Sequence, residues 1–259
     1  MTDSASSARH AVVLAAGKGT RMQSDLPKVA MPLNGRPMIQ HVLDRLAPLK
    51  LDTLTLVVGY RRDVVEELAH TWKKDHPAAP EIRFALQEEQ KGTAHAFLQA
   101  EPALTGKSGL ALVTAGDMPL LRTRSIDRLF SEAASNGAGA VLSAHLENPK
   151  GYGRMVRDTS GNLNRIVEEK DADEPTKAIQ EVNTGCYVFR IPEIFAVLKQ
   201  IDSNNKQNEY YLPDAVKLYR ERGDQFRCVL LEDYRESMGA NTREDLVQLE
   251  QIHSQMKDL

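Results

Sequence analysis

The chain has 259 residues and a formal net charge of −3, which leaves no basic footprint for nucleic acid. That length can bury one large α/β domain or two small ones. No apolar stretch approaches a membrane span, and Cys186 and Cys228 have neither disulfide-scaffold nor zinc spacing, so a reducing, cytoplasmic setting fits.

Residues 1–9 are polar and serine-rich, without the apolar core of a signal peptide, and read as a disordered tail. The first apolar run, 11–15, predicts a strand that empties into a glycine-bearing loop, Gly17-Lys18-Gly19-Thr20-Arg21. Further strands are predicted at 53–58, 82–86, 110–114, 138–146, 153–157, 163–168, 182–189 and 226–231. Helical periodicity marks 38–49, 63–74, 94–101, 125–136, 194–201, 212–222 and 243 to about 257. Thr242 and Asp245 have the spacing of a capping box for the last helix. This alternation predicts an α/β fold: a Rossmann-like, doubly wound, mostly parallel mixed sheet with helices on both faces. Its expected division is 10–241 as the catalytic body and 242–259 as a C-terminal helix.

The loop after the first strand carries the strongest chemical signal. Gly17 and Gly19 lack the Cβ that blocks backbone N–H groups from a polyanion. Arg21 adds a fork of donors and Lys28 a point charge, a set suited to phosphate. A tight turn with two solvated cations nearby fits the same residues. Met22 stands where a dinucleotide fingerprint needs its third glycine. Glu101 stands where a Walker A loop ending at Gly106-Lys107-Ser108 needs its first.

Seven further stretches follow in order: Gln87-Glu88-Glu89-Gln90-Lys91-Gly92-Thr93-Ala94-His95-Ala96, Gly116-Asp117-Met118-Pro119-Leu120, Gly151-Tyr152-Gly153-Arg154, Ile166-Val167-Glu168-Glu169-Lys170-Asp171-Ala172, Glu181-Val182-Asn183-Thr184-Gly185, Glu209-Tyr210-Tyr211-Leu212-Pro213-Asp214, and Asn241. With the entry loop, Leu14 to Met22 and Pro27-Lys28, they make the chain resemble the sugar-1-phosphate nucleotidyltransferases. The nearest likeness is to the uridyltransferase domain of bacterial N-acetylglucosamine-1-phosphate uridyltransferases.

That resemblance implies transfer of UMP from UTP to N-acetylglucosamine-1-phosphate with Mg2+. It implies catalytic roles for Arg21 and Lys28. Nucleotide contacts would come from Leu14, Ala15, Ala16, Gly17, Gln87, Gly92, Thr93, Ala115 and Gly116. Gly153, Glu168 and Asn183 would hold the sugar, and Asp117 and Asn241 the metal. Residue chemistry agrees in part. Gln87 can donate and accept at once, as the pairing edge of uracil requires. Asp117 directly follows an apolar strand, where a carboxylate is placed for Mg2+.

Simpler readings stand beside these: a polar loop capped by Thr93, a strand-end turn at Asp117, a helix-capping role for Asn241, a solvated strand end at Glu168-Glu169, and packing at Tyr210 and Tyr211. His95 reads as structural rather than as a metal ligand. Ala30 and Ala115 depart from the histidine and tyrosine usual in the family at those places, which bears on the acceptor and on nucleotide packing. Alternatives are the same chemistry on another sugar phosphate or nucleotide, or a non-catalytic nucleotide-sugar sensor. Relatives often carry a β-helix acetyltransferase domain. The hexapeptide repeats it needs are not in this sequence, so neither acetyl transfer nor a β-helix trimer is expected, and the assembly is a monomer or small homo-oligomer.

Overall fold

The structure is a computed structural model that describes residues 7–135 and 137–256. Its strands are β1 (Arg9–Ala15), β2 (Pro32–Leu33), β3 (Arg36–Pro37), β4 (Thr53–Val58), β5 (Ile82–Leu86), β6 (Gly109–Ala115), β7 (Gly139–His145), β8 (Arg154–Arg157), β9 (Leu163–Val167), β10 (Glu181–Ile191) and β11 (Phe226–Leu230). The helices are α1 (Met38–Leu46), α2 (Arg62–Asp75), α3 (Thr93–Leu98), α4 (Glu101–Leu104), α5 (Thr123–Ser135), α6 (Glu174–Lys177), α7 (Glu193–Leu198), α8 (Asp214–Glu221) and α9 (Arg243–Gln255).

The main sheet runs β11-β7-β10-β6-β1-β4-β5. β1 is parallel to both β4 and β6, and β4 to β5. β10 runs antiparallel between β6 and β7, so the sheet is mixed and mostly parallel, as the alternation of patterns predicts. A β8–β9 hairpin hangs from β10 through the Val182–Arg154 pair. A central strand covered on both faces must be apolar on both, and β1 is: Ala11, Val13 and Ala15 pack with α1, α2 and α5, while Val12 packs with α3, α7 and α8.

α9 does not stand apart from this body. Leu246 and Leu249 are buried against Met22, Leu33, Met38 and Leu120. Its start is the expected capping box, with Thr242 Oγ1 accepting the Asp245 N–H and the Asp245 carboxylate accepting the Thr242 N–H.

Several boundaries differ from the sequence pattern. Pro48 sits in a 3-10 turn, Ala47–Leu49, that closes the first helix early. Pro213 is the N-cap of α8, so that helix starts at Asp214 rather than 212. The β2–β3 hairpin escaped the strand pattern because each strand is two residues long. Its turn, Asn34-Gly35, takes φ values of 48° and 80°, the pair of positive angles that a two-residue hairpin favours in Asn-Gly. Of the expected tail, residues 1–6 lie outside the described residues, whereas Arg9 belongs to β1, its N–H bonded to Asp52 and its guanidinium to Asp127. Residue 136 and the expected end of the last helix also lie outside them.

One buried ionic brace ties the loop after β6 to the segment that leads into α9. Glu236, fully buried, accepts the Arg122 backbone N–H at 3.0 Å and its guanidinium at 3.4 Å. The same guanidinium reaches Asp233 at 3.2 Å. Removing one partner of such a pair leaves a buried charge uncompensated. Glu236→Ala is therefore expected to cost about 3–5 kcal/mol, read as a lowered urea midpoint; an unchanged midpoint would show that the brace carries no stability.

Candidate active site

The chain runs from β1 out to β4 and β5 on one side, then returns to β6 on the other side of β1. Ligands of open α/β sheets bind at such a reversal, beyond the carboxyl ends of the strands. There Leu14 pairs with Ala115, and the Gly116 N–H donates to the Leu14 carbonyl at 2.9 Å. The loops 16–28 and 116–122 therefore leave the sheet side by side.

The first loop folds tightly back on itself. Gly19 takes φ +69°, and a Cβ placed on it would lie 2.6 Å from the Lys28 Cβ, so the approach of Lys28 requires glycine. Buried Met22 anchors the turn Thr20–Met22 that carries Arg21. Lys28 then reaches across the site. Its ammonium forms an ion pair with the Asp117 carboxylate and donates to Asn241 Oδ1 at 2.7 Å. Arg21 Nη2 donates to the same Asn241 oxygen at 3.1 Å.

The third segment arrives through Gly239, where a Cβ would lie 2.7 Å from the Asp117 carbonyl oxygen. Thr242 is the cap of α9. The Asn241 side chain is thereby free of a capping role and turns to the two cations instead.

Arg21, Lys28, Asp117 and Asn241 thus meet through direct contacts. An oxygen of Asp117 and one of Asn241 converge on a single cation, the Lys28 ammonium. Hard oxygen donors aimed at one positive charge fit Mg2+, which takes one or two protein ligands and completes its shell with phosphate and water. Among the described residues no group of three or more His, Cys, Asp or Glu gathers for a metal; Asp117 and Asn241 are the two residues here that could hold one.

A second group follows β5. Gln87 is buried, and its N–H donates to the Val58 carbonyl at 2.8 Å. Gly92 takes φ +107° with the Tyr210 carbonyl oxygen 2.5 Å from where a Cβ would lie, a place only glycine fits. Thr93 Oγ1 accepts the Leu212 N–H at 3.0 Å, so it pins the 210–212 segment over the loop. Gln90, not singled out from sequence, donates to the Ala16 carbonyl at 2.6 Å and joins this loop to the end of β1. Only its place in the motif could have flagged it.

The third group comprises Gly153 just before β8, Glu168 just after β9 and Asn183 on β10. The Gly153 carbonyl accepts the Asn183 N–H at 2.8 Å, and Glu168 Oε1 lies 3.0 Å from where a Gly153 Cβ would be. Buried Arg154 fastens the hairpin end by donating to Glu169 Oε2 at 2.6 Å and to the Lys177 carbonyl at 3.2 Å. Among the described residues no hydrogen bond joins this trio to Lys28 or Asp117. Tyr211 is buried, with its hydroxyl accepting from Gln207 at 2.7 Å. Burial, with Asp214 and Asp171 as like charges nearby, pushes the Glu168 carboxyl up to about 7. Burial likewise raises Asp214 to about 6 and the buried Cys186 thiol to about 12, which leaves that thiol inert.

Glu168 supplies a test by linkage. Its folded value lies above its ordinary 4.5, so the folded chain holds the extra proton between the two. Stability is therefore full below pH 4.5 and falls as pH rises to about 7. Glu168→Gln is expected to gain about 1–3 kcal/mol over wild type at pH 8 and nothing at pH 4.5, as read by denaturant midpoints. A gain equal at both pH values would contradict the raised carboxyl.

Comparison with known proteins places the fold and the sequence among relatives. A solved structure of UDP-glucose pyrophosphorylase complexed with UDP-glucose shares the fold, with a TM-score of 0.77 at 19% identity, over 96% of this chain and 99% of that one. "Bifunctional protein GlmU" of Oceanobacillus iheyensis is 42% identical over 245 residues, 94% of this chain and 52% of the relative. The protein of the same name from Enterococcus faecalis is 40% identical over 236 residues, 91% of this chain and 50% of the relative. The chain spans about half the length of the curated relatives it matches. The family model of the MobA-like NTP transferase domain matches residues 11–184, a span that includes the loop 16–28, Asp117 and all three residues of the third group. The chain belongs to the MobA-like NTP transferase domain family.

Proposed function

We propose that the chain transfers UMP from UTP to N-acetylglucosamine-1-phosphate, yielding UDP-N-acetylglucosamine and pyrophosphate. The observation that carries this reading is the convergence of Arg21, Lys28, Asp117 and Asn241 beyond the carboxyl ends of β1 and β6. The similarity to proteins named GlmU over nearly the whole chain supports the choice of substrates.

In this reading an oxygen of the sugar phosphate bonds to the α-phosphorus of UTP. The bond from that phosphorus to the bridging oxygen breaks, and pyrophosphate leaves with the electron pair. Such a transfer needs alignment and charge neutralisation rather than a nucleophilic side chain. Lys28 contacts the α-phosphate and the incoming sugar phosphate. Arg21 meets the charge that grows on the departing β- and γ-phosphates. Asp117 and Asn241 hold Mg2+, which supplies Lewis-acid neutralisation of phosphate charge when bound. Lys28 must let go of the Asp117 carboxylate to reach the phosphates. Gln87, Gly92 and Thr93 seat uracil, with backbone contacts from Leu14, Ala15, Ala16, Gly17, Ala115 and Gly116. Gly153, Glu168 and Asn183 hold the sugar.

Pyrophosphate release, measured over a panel of nucleoside triphosphates and sugar phosphates, tests the reading. UTP with N-acetylglucosamine-1-phosphate is expected to be the best pair, and a different best pair would replace the assignment. Asp117→Ala is expected to lose at least about 10- to 100-fold in kcat/KM, the range seen even for changes around metal ligands. A rate like wild type would remove Asp117 from the site. Arg21→Ala should lower kcat far more than it raises the KM for UTP, because its contact strengthens as charge develops. A change confined to KM would make Arg21 a binding residue only.

A further inference from the structure

The amide of Gln87 is held in one orientation. Its Nε2 donates to the Gly92 carbonyl at 3.3 Å and lies 3.0 Å from Nδ1 of His95. A carbonyl can only accept, so the end of the amide facing Gly92 must be the nitrogen. His95 Nδ1 then has to act as an acceptor. Burial, and to a lesser extent Lys91, lower the affinity of His95 for a second proton, against the opposing pull of Glu89. A neutral imidazole accepts at one nitrogen only.

Its Nε2 lies 3.3 Å from the Gln99 amide nitrogen, which also donates to the His95 carbonyl at 3.0 Å. Gln99 is the more exposed of the two amides, so it can give up its bond to the His95 carbonyl in exchange for water and turn its oxygen to a ring N–H. Gln87 is 4% exposed and tied to Gly92, so it has no such freedom. The proton therefore sits on Nε2, and Nδ1 serves Gln87. Among the described residues nothing donates to Gln87 Oε1, which leaves that oxygen as the group offered to a ligand.

We propose that His95 is a specificity-determining positioning residue that fixes the Gln87 amide with its oxygen toward the base, so the site accepts uracil and refuses cytosine. The inference rests on the proposed uridylyl transfer. Uracil carries an N–H at N3, which an amide oxygen accepts. Cytosine carries a lone pair at N3, and two acceptors facing each other repel. An amide free to flip would present its nitrogen to cytosine and lose the distinction. A buried hydrogen-bonding site left mismatched is what separates bases of the same size.

The test is the ratio of kcat/KM for UTP to that for CTP, with N-acetylglucosamine-1-phosphate as acceptor. It is measured on wild type, His95→Leu, Gln87→Ala and the double variant. Both rates come from one preparation, so the ratio does not depend on how much of a variant is folded. His95→Leu is expected to lower the ratio at least about 10-fold, one hydrogen bond's worth of discrimination. In the Gln87→Ala background the same change should leave the ratio within about 2-fold, because residues that act through one another are not additive. An unchanged ratio in His95→Leu overturns the inference. An equal fall with and without Gln87 also overturns it, since His95 would then act by another route. If wild type turns over neither nucleotide, the proposed reaction fails first and the inference falls with it.

Discussion

A single ammonium group ties together three parts of the chain that lie far apart in sequence. Lys28 stands on the loop after β1, Asp117 after β6, and Asn241 at the entry to α9. The ion pair of Lys28 with Asp117 and its hydrogen bond to Asn241 bring all three to one point. Everything around that point serves to keep it assembled. The parallel pairing of β1 with β6 sets the two loops side by side. Gly19 lets Lys28 fold back, and Gly239 lets the third segment lie against the Asp117 backbone. The Arg122–Glu236 brace then holds the loop after β6 to that third segment from beneath.

The ion pair also balances the charges of the site. Cations that face only one another would repel, and a lone carboxylate near the sheet would be poorly solvated. With Lys28 between Asp117 and Asn241, each group has a partner. A polyphosphate offers Lys28 and Arg21 a richer set of acceptors than one carboxylate and one amide do. In the proposed reaction that exchange of partners would free the Asp117 oxygen. The group proposed to read the base is built differently. Its loop is fastened by hydrogen bonds of Gln87 to Val58, of Lys91 and Ala94 to Tyr210, and of Thr93 to Leu212.

Much of this was legible from residues alone. The strands expected at 53–58 and 82–86 coincide with β4 and β5, because β-branched and apolar residues dominate both; Arg83 is tolerated because β5 is the edge of the sheet and its side chain is exposed. The Thr242–Asp245 spacing located the start of α9 to the residue. Local signals of this kind depend on neighbours in the chain. The brace between Arg122 and Glu236 depends on residues 114 apart, and nothing near either one announces a buried charge. The same limit applies to Asn241. Beside Thr242 it has the look of a capping residue, and only the fold reveals that its side chain faces Arg21 and Lys28 instead. His95 was readable as structural, but the amide it orients could be seen only once both were placed in space.

A crystal structure of the chain with UDP-N-acetylglucosamine and Mg2+ tests the central claim most directly. The account predicts Lys28 and Arg21 on the phosphates, with Asp117 and Asn241 as the residues that hold the ion. Uracil should lie against Gln87 and Gly92, and the sugar against Gly153 and Asn183. A nucleotide bound elsewhere, with Lys28 still paired to Asp117, would contradict it.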